Sequence, residues 1–231
     1  NGGTTSTVTN SGLIEVSGTT RGTDTDGDGD IDGAFTSGEN RVGILVGGSG
    51  TFTGTITNGV DGFIDVAGNH SAGIRTIVLV DGSITNSGVI NRYTTTPATS
   101  DEFKIDDDDT LLSSSTVQVG GSLGRGMFIA GTDFNGGGLG SQIVSRSTAP
   151  AVWIAPSLGT GENIVLGNVF IPADPDDADS TETSFNFGFV NDGLISGQSI
   201  LREFDALALR IEGSMVGGQL RTTTLNGGLY N

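Results

Sequence analysis

A short motif, asparagine-x-glycine-apolar-isoleucine, recurs along the chain and limits the possible folds more than any other feature. Copies begin at residues 10, 86, 191 and 226, and a further copy at residues 60–64 follows Asn58. One Asn-x-Gly is an ordinary turn, but several copies with matching apolar flanks indicate a repeated structural unit. The corners of successive repeats are then predicted at Asn10, Asn58, Asn86, Asn191 and Asn226.

The spacing of these copies predicts a β-solenoid, in which each repeat is one coil of short strands. A period in the high twenties fits the copies and is the size of one such coil. Past each corner the residues alternate, so we expect Ile14 and Val16 to point inward and Glu15 outward. We also expect a left-handed backbone at the corners, which asparagine and glycine tolerate, and a hydrogen-bonded ladder of stacked asparagines. A β-sandwich or open barrel would show the same alternation without needing identical corners.

A second, looser unit falls between the copies of the first and marks another short apolar strand. It is found at residues 42–46, 72–74, 126–129, 151–154 and 206–209. Together the two units predict one all-β segment over residues 1–231, with acidic insertions near residues 19–39, 93–116 and 171–184. Because both ends fall inside repeats, we expect the segment to belong to a longer polypeptide.

Composition excludes several other classes of protein. The chain has 40 Gly among 231 residues, and glycine costs ~1 kcal/mol at each helical position, which argues against a helical bundle. It has no Cys, so a disulfide scaffold and a thiolate metal site are both excluded. The net charge of −17 opposes binding to nucleic acid or to anionic membrane surfaces. Apolar runs such as residues 77–80 are too short for insertion of this segment across a bilayer.

Two copies of the motif carry a resemblance to a known group of proteins. Val-Thr-Asn-Ser-Gly-Leu-Ile at residues 8–14 and Ile-Thr-Asn-Ser-Gly-Val-Ile at residues 84–90 resemble the repeats of autotransporter-type passenger domains and related bacterial surface adhesins. The resemblance implies a right-handed parallel β-helix (a β-solenoid) on the outer surface of a Gram-negative cell. It also implies a non-enzymatic structural or adhesive role. The expected partners are a host or cell-surface glycan or protein, or further copies of the chain in a homo-oligomer, filament or matrix.

The first acidic insertion contains the strongest candidate for a metal site. Its alternating carboxylates are Asp24, Asp26, Asp28, Asp30 and Asp32. This spacing resembles the calcium loop of EF-hand, dockerin and thrombospondin-type repeats, and alternate Asp side chains in a glycine-rich loop suit Ca²⁺. Position 12 of such a loop is Phe35 instead of the usual Glu, and Glu39 is the acid that could replace it. Residues 106–109 and 174–179 carry further clusters of Asp and are additional candidates for calcium.

Catalysis is the main alternative, because parallel β-helices also include polysaccharide lyases and tailspike glycosidases. Such sites need acids that converge, often with Arg or Lys, on a groove lined by aromatic side chains. Here the acids are concentrated in the insertions, Lys104 is the only Lys, and aromatic residues make up 6% of the chain. The sequence therefore assigns no catalytic residue, and a polysaccharide-degrading lyase or glycosidase is retained as the alternative function.

Overall fold

The computed structural model describes residues 6–16, 20–22, 34–36, 39–68, 70–93, 114–131, 140–171, 181–198 and 206–231, and nearly all regular structure in these ranges is β-strand. The one helix described there is a single 3-10 turn, Pro156–Leu158. The strands are, in chain order, β1 (Ser6–Asn10), β2 (Leu13–Val16), β3 (Thr20–Gly22), β4 (Ala34–Thr36), β5 (Val42–Val46), β6 (Phe52–Asn58), β7 (Phe63–Ala67), β8 (Ala72–Thr76), β9 (Val80–Asp81), β10 (Ile84–Asn86), β11 (Val89–Tyr93), β12 (Val117–Val119), β13 (Met127–Ile129), β14 (Gln142–Arg146), β15 (Val152–Ile154), β16 (Ile164–Leu166), β17 (Phe170–Ile171), β18 (Thr183–Ser184), β19 (Phe189–Asn191), β20 (Leu194–Gly197), β21 (Leu209–Ile211), β22 (Ser214–Val216), β23 (Gln219–Arg221), β24 (Thr223–Leu225) and β25 (Leu229–Tyr230). The predicted all-β class is confirmed over these ranges.

Three parallel sheets lie side by side, and the chain visits them in the same order on each pass. Sheet 1 has the strand order β1-β6-β10-β13-β19-β25, with β9 also paired to β6. Sheet 2 has the order β2-β7-β11-β14-β20, and sheet 3 has the order β5-β8-β12-β15-β21. We call each pass a circuit and number the circuits 1 (residues 6–51), 2 (52–79), 3 (80–122), 4 (123–163), 5 (164–222) and 6 (223–230). Asn58 and Asn86, 28 positions apart, are paired in register, which agrees with the predicted repeat length.

A fourth, shorter row of parallel contacts lies between sheet 3 and sheet 1. Strand β9 pairs with β6, and β16 pairs with β24. Leu123 joins these two pairs through single parallel bridges to Val80 and Leu166. The row therefore connects circuits 2 to 6 in the same sequence as the sheets.

The core consists of columns of inward-facing apolar side chains, with one residue from each circuit. In sheet 2 the register aligns Ile14, Ile64, Ile90, Ile143 and Ile195. Glu15 is paired with Asp65 on the outer face, so the predicted inward and outward sides of this strand are confirmed. Ile64, Ile90 and Ile143 are fully buried, and burial of each contributes about 1.5–3 kcal/mol.

Two of the acidic insertions connect the same two sheets, in different circuits. Residues 17–41 and 94–116 both connect sheet 2 to sheet 3, the first in circuit 1 and the second in circuit 3. Circuit 2 makes the same connection with residues 68–71 alone. The number of residues in a circuit therefore varies. The fold tolerates this variation because an insertion between two strands leaves the pairing of those strands unchanged.

The third acidic insertion, in circuit 5, is associated with a second apolar cluster on the outer face of sheet 1. Phe128 and Val190 lie on that face and are almost fully buried, and the ring of Phe128 stacks on Phe185 with 5.9 Å between ring centroids. The same outer position is Thr57 in circuit 2 and Thr85 in circuit 3. Apolar residues therefore replace threonine on this face where Ile171, Phe185 and Phe187 pack against it.

Candidate functional site

A column of buried asparagines lies at the end of sheet 1, where the chain turns toward sheet 2. Asn10, Asn58 and Asn86 are in register in circuits 1 to 3. The Nδ2 of Asn10 donates to the Oδ1 of Asn58 over 2.9 Å, and the Nδ2 of Asn58 donates to the Oδ1 of Asn86 over 2.8 Å. The Nδ2 of Asn58 also donates to the carbonyl oxygen of Val89, and that of Asn86 to the carbonyl oxygen of Gln142. These bonds join the circuits to one another and tie sheet 1 to sheet 2.

The column changes in circuit 4, where Ile129 stands opposite Asn86. Asparagine returns in circuit 5 as Asn191, whose Nδ2 donates to the Oδ1 of Asn231 over 2.6 Å. This second pair is exposed, in contrast to the buried bonds of circuits 1 to 3. The ladder is therefore two separate segments on either side of an apolar residue.

Asn226 does not belong to this column, which corrects its assignment as a repeat corner. The register pairs Phe189 with Leu229, so Asn231 is the residue that reaches the corner of circuit 6. Asn226 lies in the turn between β24 and β25, where its backbone N–H donates to the carbonyl oxygen of Leu166. The motif at residues 226–230 resembles the others because the turn before sheet 1 also needs glycine: Gly227 has a φ of 65°.

Glycine follows the corner asparagine because the adjacent circuit leaves no room for a Cβ. At Gly62 an added Cβ would lie 2.7 Å from the carbonyl oxygen of Asn10, and at Gly88 it would lie 2.1 Å from the carbonyl oxygen of Gly62. At Gly12, in circuit 1, it would meet nothing within 4 Å. These corners are not among the described residues with positive φ, so the prediction of a left-handed backbone is wrong. Crowding between circuits and the side-chain ladder explain the motif instead.

Two acidic residues are neighbours on the outer face of sheet 2. Glu15 is paired with Asp65, and Asn91 in the next circuit donates from Nδ2 to the Oδ1 of Asp65 over 3.1 Å. Burial is the main influence on the pKa of Asp65 and raises it; the bond from Asn91 lowers it, the charge of Glu15 raises it, and the charge of Arg146 lowers it. The net effect is a raised pKa, so the ionised carboxylate disfavours the folded state.

We expect Asp65→Asn to raise the melting temperature at neutral pH by on the order of 1–2 °C, because an amide keeps the bond from Asn91 without the charge. Since folding raises the pKa of Asp65, the wild-type protein gains stability as the pH falls through that pKa, and the two proteins should converge in acid. Thermal unfolding followed by circular dichroism across the acid range measures both effects. Asp81→Asn, at an exposed strand position, is the control for loss of one negative charge. A difference that widens in acid would contradict the prediction.

The predicted calcium ligands lie outside the described residues: Asp24, Asp26, Asp28, Asp30 and Asp32, and the further candidates at residues 106–109 and 174–179. The structure does describe a pair of strands on either side of the first and the third of these segments. Strands β3 and β4 pair antiparallel, with Gly22 opposite Ala34, so the ends of residues 23–33 are held together. Strands β17 and β18 bracket residues 172–182 in the same way.

The positions of β3 and β4 differ from what a twelve-residue calcium loop over residues 24–35 requires. Phe35, at the twelfth position, belongs to β4, and Glu39 lies beyond the end of that strand. A loop closed by β3 and β4 therefore spans residues 23–33 and contains all five alternating Asp residues but no Glu. Within the described ranges, no group of three or more potential metal ligands occurs.

An open groove crosses the corner between sheet 3 and the fourth row. It has a volume of about 490 Å³ and is lined by residues of circuits 1 to 4, including Thr51, Ser122 and Asn163. The lining contains no aromatic residue, and its one carboxylate is that of Glu162, whose Oε2 lies 3.6 Å from the Nη1 of Arg221. A single carboxylate does not provide the pair of acids that glycoside hydrolysis requires.

The second unit predicted from the sequence differs from the strands of sheet 3 at two places: one predicted strand lies in another sheet, and one strand of sheet 3 was not predicted. The unit at residues 126–129 is predicted beside residues 72–74, but Met127–Ile129 pairs with Ile84–Asn86 in sheet 1. Its expected place in sheet 3 is taken by Val117–Val119, which pairs with β8. The alternating Val-Gln-Val of this strand, between Thr116 and Gly120, is the signal that could have located it.

No protein-family model, curated protein or solved structure matches this chain. In the part of the chain that the structure describes, no helix has the length and apolar character needed to span a membrane.

Proposed function

We propose that this chain is a stretch of right-handed parallel β-helix that serves as a non-enzymatic structural and adhesive segment of a secreted bacterial surface protein. The observation that carries the proposal is the continuous parallel stacking: each of the three sheets gains one strand per circuit through circuits 1 to 5, whatever the length of the insertions. Such a stack is stiff along its axis, because its backbone hydrogen bonds and its buried asparagine ladder run in that direction. A stiff stack with variable loops at its corners suits display and recognition better than catalysis.

The resemblance of residues 8–14 and 84–90 to autotransporter-type repeats supports the outer surface of a Gram-negative cell as the location. The proposed partners are a host or cell-surface glycan or protein, bound through the corners. The net charge of −17 disfavours nucleic acid and anionic lipid as partners.

Self-assembly into a homo-oligomer, filament or matrix is a variant of this proposal, and the ends of the stack support it. Val8, Ile14 and Val16 in circuit 1 are only partly buried, as are Leu209 and Ile211 in circuit 5. Within the described residues, strands β1, β2 and β5 at one end and β20, β21 and β25 at the other have one paired edge each. Free parallel edges beside partly buried core residues favour the addition of further strands.

Imaging of the full-length protein on its source cells tests this proposal. Immunogold labelling with an antibody raised against residues 1–231 should decorate the outer surface, and electron microscopy of the purified chain separates filaments from monomers. Label confined to the cytoplasm would refute the surface role. Release of oligosaccharides from acidic glycans by the purified chain would instead support the polysaccharide-degrading alternative.

Calcium binding to the first acidic loop is part of the proposal, and it is supported by the alternating Asp residues and by the pairing of β3 with β4. We expect the chelator-treated chain to bind Ca²⁺ with a Kd between roughly 10⁻⁶ and 10⁻³ M. At 100-fold excess over Kd, binding should stabilise the fold by about 2.7 kcal/mol.

Isothermal titration of Ca²⁺ into the chain measures this affinity. Asp26→Asn combined with Asp28→Asn should abolish the heat that the first loop contributes, while Glu15→Gln, which removes an acid from sheet 2, should leave it unchanged. Absence of heat at millimolar Ca²⁺ would remove calcium from the proposed function and leave the stacked fold unaffected.

A further inference from the structure

A β-hairpin occupies the corner between sheet 3 and the fourth row in circuit 5. Its strands, β22 and β23, pair antiparallel, and Gly217 and Gly218, with φ of 57° and 79°, form the two-residue turn between them. The same corner is made by residues 47–51 in circuit 1, 77–79 in circuit 2 and 120–122 in circuit 3. These connections are too short for a hairpin, so circuit 5 carries an added element at this corner.

The two faces of the hairpin have different surroundings. On one face, the Oγ of Ser214 lies 3.1 Å from the Oγ of Ser157, which belongs to circuit 4, and Arg221 forms an ion pair with the same circuit. Strand residues alternate between faces, so Met215 and Leu220, which are paired with each other, lie on the face turned away from circuit 4. These two side chains are 66% and 69% exposed. We call the end of the stack at circuit 1 the head and the opposite end the tail, and the tail thus carries an exposed apolar pair.

An apolar pocket lies at the same corner at the head of the stack. It has a volume of about 330 Å³ and is lined by residues of circuits 1 and 2, including Leu45, Phe52 and Val78. The side chain of Leu45 is 57% exposed, and the described residues of the lining include no charged side chain. A contact in this pocket can therefore bury apolar area without removing a charge from water.

We propose that the hairpin of one copy of this chain docks in the pocket of the next copy, so that copies stack head to tail. This inference rests on the self-assembly variant of the proposed function and names the two surfaces that meet. The number of strands supports the fit, because sheet 1 has β25 in circuit 6 whereas sheet 3 ends with β21 in circuit 5. A copy that rests on sheet 1 leaves a space of one strand spacing, ~4.8 Å, above β21, and Met215 and Leu220 lie where they can fill it.

The charges of the two ends favour a head-to-tail contact over a head-to-head contact. Residues 6–51, which form circuit 1, contain seven acids and two arginines, a net charge of −5. Residues 206–231, at the tail, contain two arginines and one glutamate, a net charge of +1. Head-to-head packing brings two negative circuits together, whereas head-to-tail packing places a negative circuit beside a weakly positive one. Because the two surfaces differ, the contact is heterologous, and its repetition produces an open filament.

The first test compares a hairpin variant and a pocket variant with a matched control. Met215→Ser combined with Leu220→Ser is the hairpin variant, and Leu45→Asp is the pocket variant. The control is Val60→Ser, which removes a side chain of similar exposure, 59%, from the turn between sheets 1 and 2. All these positions are exposed, so thermal unfolding should show that each variant keeps the stability of the wild type. In sedimentation velocity, the hairpin and pocket variants should need a roughly 10- to 100-fold higher concentration to assemble, while the control assembles like the wild type.

The second test mixes the hairpin variant and the pocket variant in equal amounts. The first keeps its pocket and the second keeps its hairpin, so the two chains can form one contact and no more. We expect one-to-one dimers without longer assemblies, at a concentration where either variant alone is monomeric. Assembly of the pocket variant alone would indicate contact between two hairpins and would overturn the proposal, as would a mixture that stays monomeric.

The behaviour of the wild-type chain separates this inference from the proposed function. Filaments that persist in both variants, seen by electron microscopy, would overturn the docking of the hairpin and leave self-assembly in place. A wild-type chain that stays monomeric would overturn both this inference and the self-assembly variant, and immunogold labelling would still test the surface role. Deletion of residues 1–5 should leave assembly unchanged; loss of assembly would assign the contact at the head to that segment and overturn the proposal.

Discussion

Asn58→Ala should lower the free energy of unfolding by roughly 3–5 kcal/mol, because it removes the central rung of a buried ladder. The side chain of Asn58 is fully buried, accepts a bond from Asn10 and donates to Asn86. Alanine would leave the Nδ2 of Asn10 and the Oδ1 of Asn86 without these partners. A buried polar group that loses its partner costs about 1–3 kcal/mol, and the vacated volume adds to that cost.

Asn191→Ala is the matched control for this prediction, because Asn191 occupies the same column in circuit 5. Its side chain makes one exposed bond, to Asn231, so its loss should cost no more than about 1 kcal/mol. Urea unfolding followed by far-ultraviolet circular dichroism and by the fluorescence of Trp153, the single tryptophan, measures both variants. Equal losses for the two variants would show that burial of the ladder is not what stabilises the corner.

Gly88→Ala should lower the free energy of unfolding by roughly 2–4 kcal/mol, because the added methyl group has no space. Its Cβ would lie 2.1 Å from the carbonyl oxygen of Gly62 and 2.3 Å from that of Gly59. Both contacts are with backbone atoms of the preceding circuit, which move only if the two circuits separate. The substitution therefore tests the spacing between circuits, and it leaves the ladder side chains in place.

Gly12→Ala provides the comparison, since Gly12 precedes Leu13 as Gly88 precedes Val89 at the corresponding corner. Nothing in the structure lies within 4 Å of a Cβ at Gly12. We expect a change within about 0.5 kcal/mol in the isolated chain, measured by the same urea titration. A loss at Gly12 as large as that at Gly88 would mean that backbone conformation, and not contact with the adjacent circuit, makes glycine necessary here.

Both predictions bear on the proposed mechanical role. The ladder and the glycine contacts join neighbouring circuits. Weakening either should therefore reduce the cooperativity of unfolding along the stack and leave the individual strands largely unchanged. A surface segment that transmits force or holds loops at fixed positions depends on that coupling.

Much of the fold could be predicted because most copies of the repeated motif occupy equivalent positions in successive circuits. The inward positions of Ile14 and Val16 and the repeat length follow from alternation and from the spacing of the motif. The error at Asn226 shows the limit of this approach: two different turns of the same circuit use a similar asparagine–glycine sequence, and only pairing distinguishes them. Ile129 shows the converse, because a position in the column can be filled without the residue that defines the motif.

The sequence by itself determined that the chain is all-β, that its basic repeat has a length in the high twenties, and that most of its negative charge lies in insertions. These properties depend on short-range periodicity and composition, which a linear pattern contains. Only the tertiary structure decided which strands share a sheet, why glycine is needed at positions 62 and 88, and that Arg92 is buried without a counter-charge among the described residues. Those outcomes depend on contacts between residues one circuit apart, and because insertions of unequal length separate the circuits, no fixed spacing in the sequence records them.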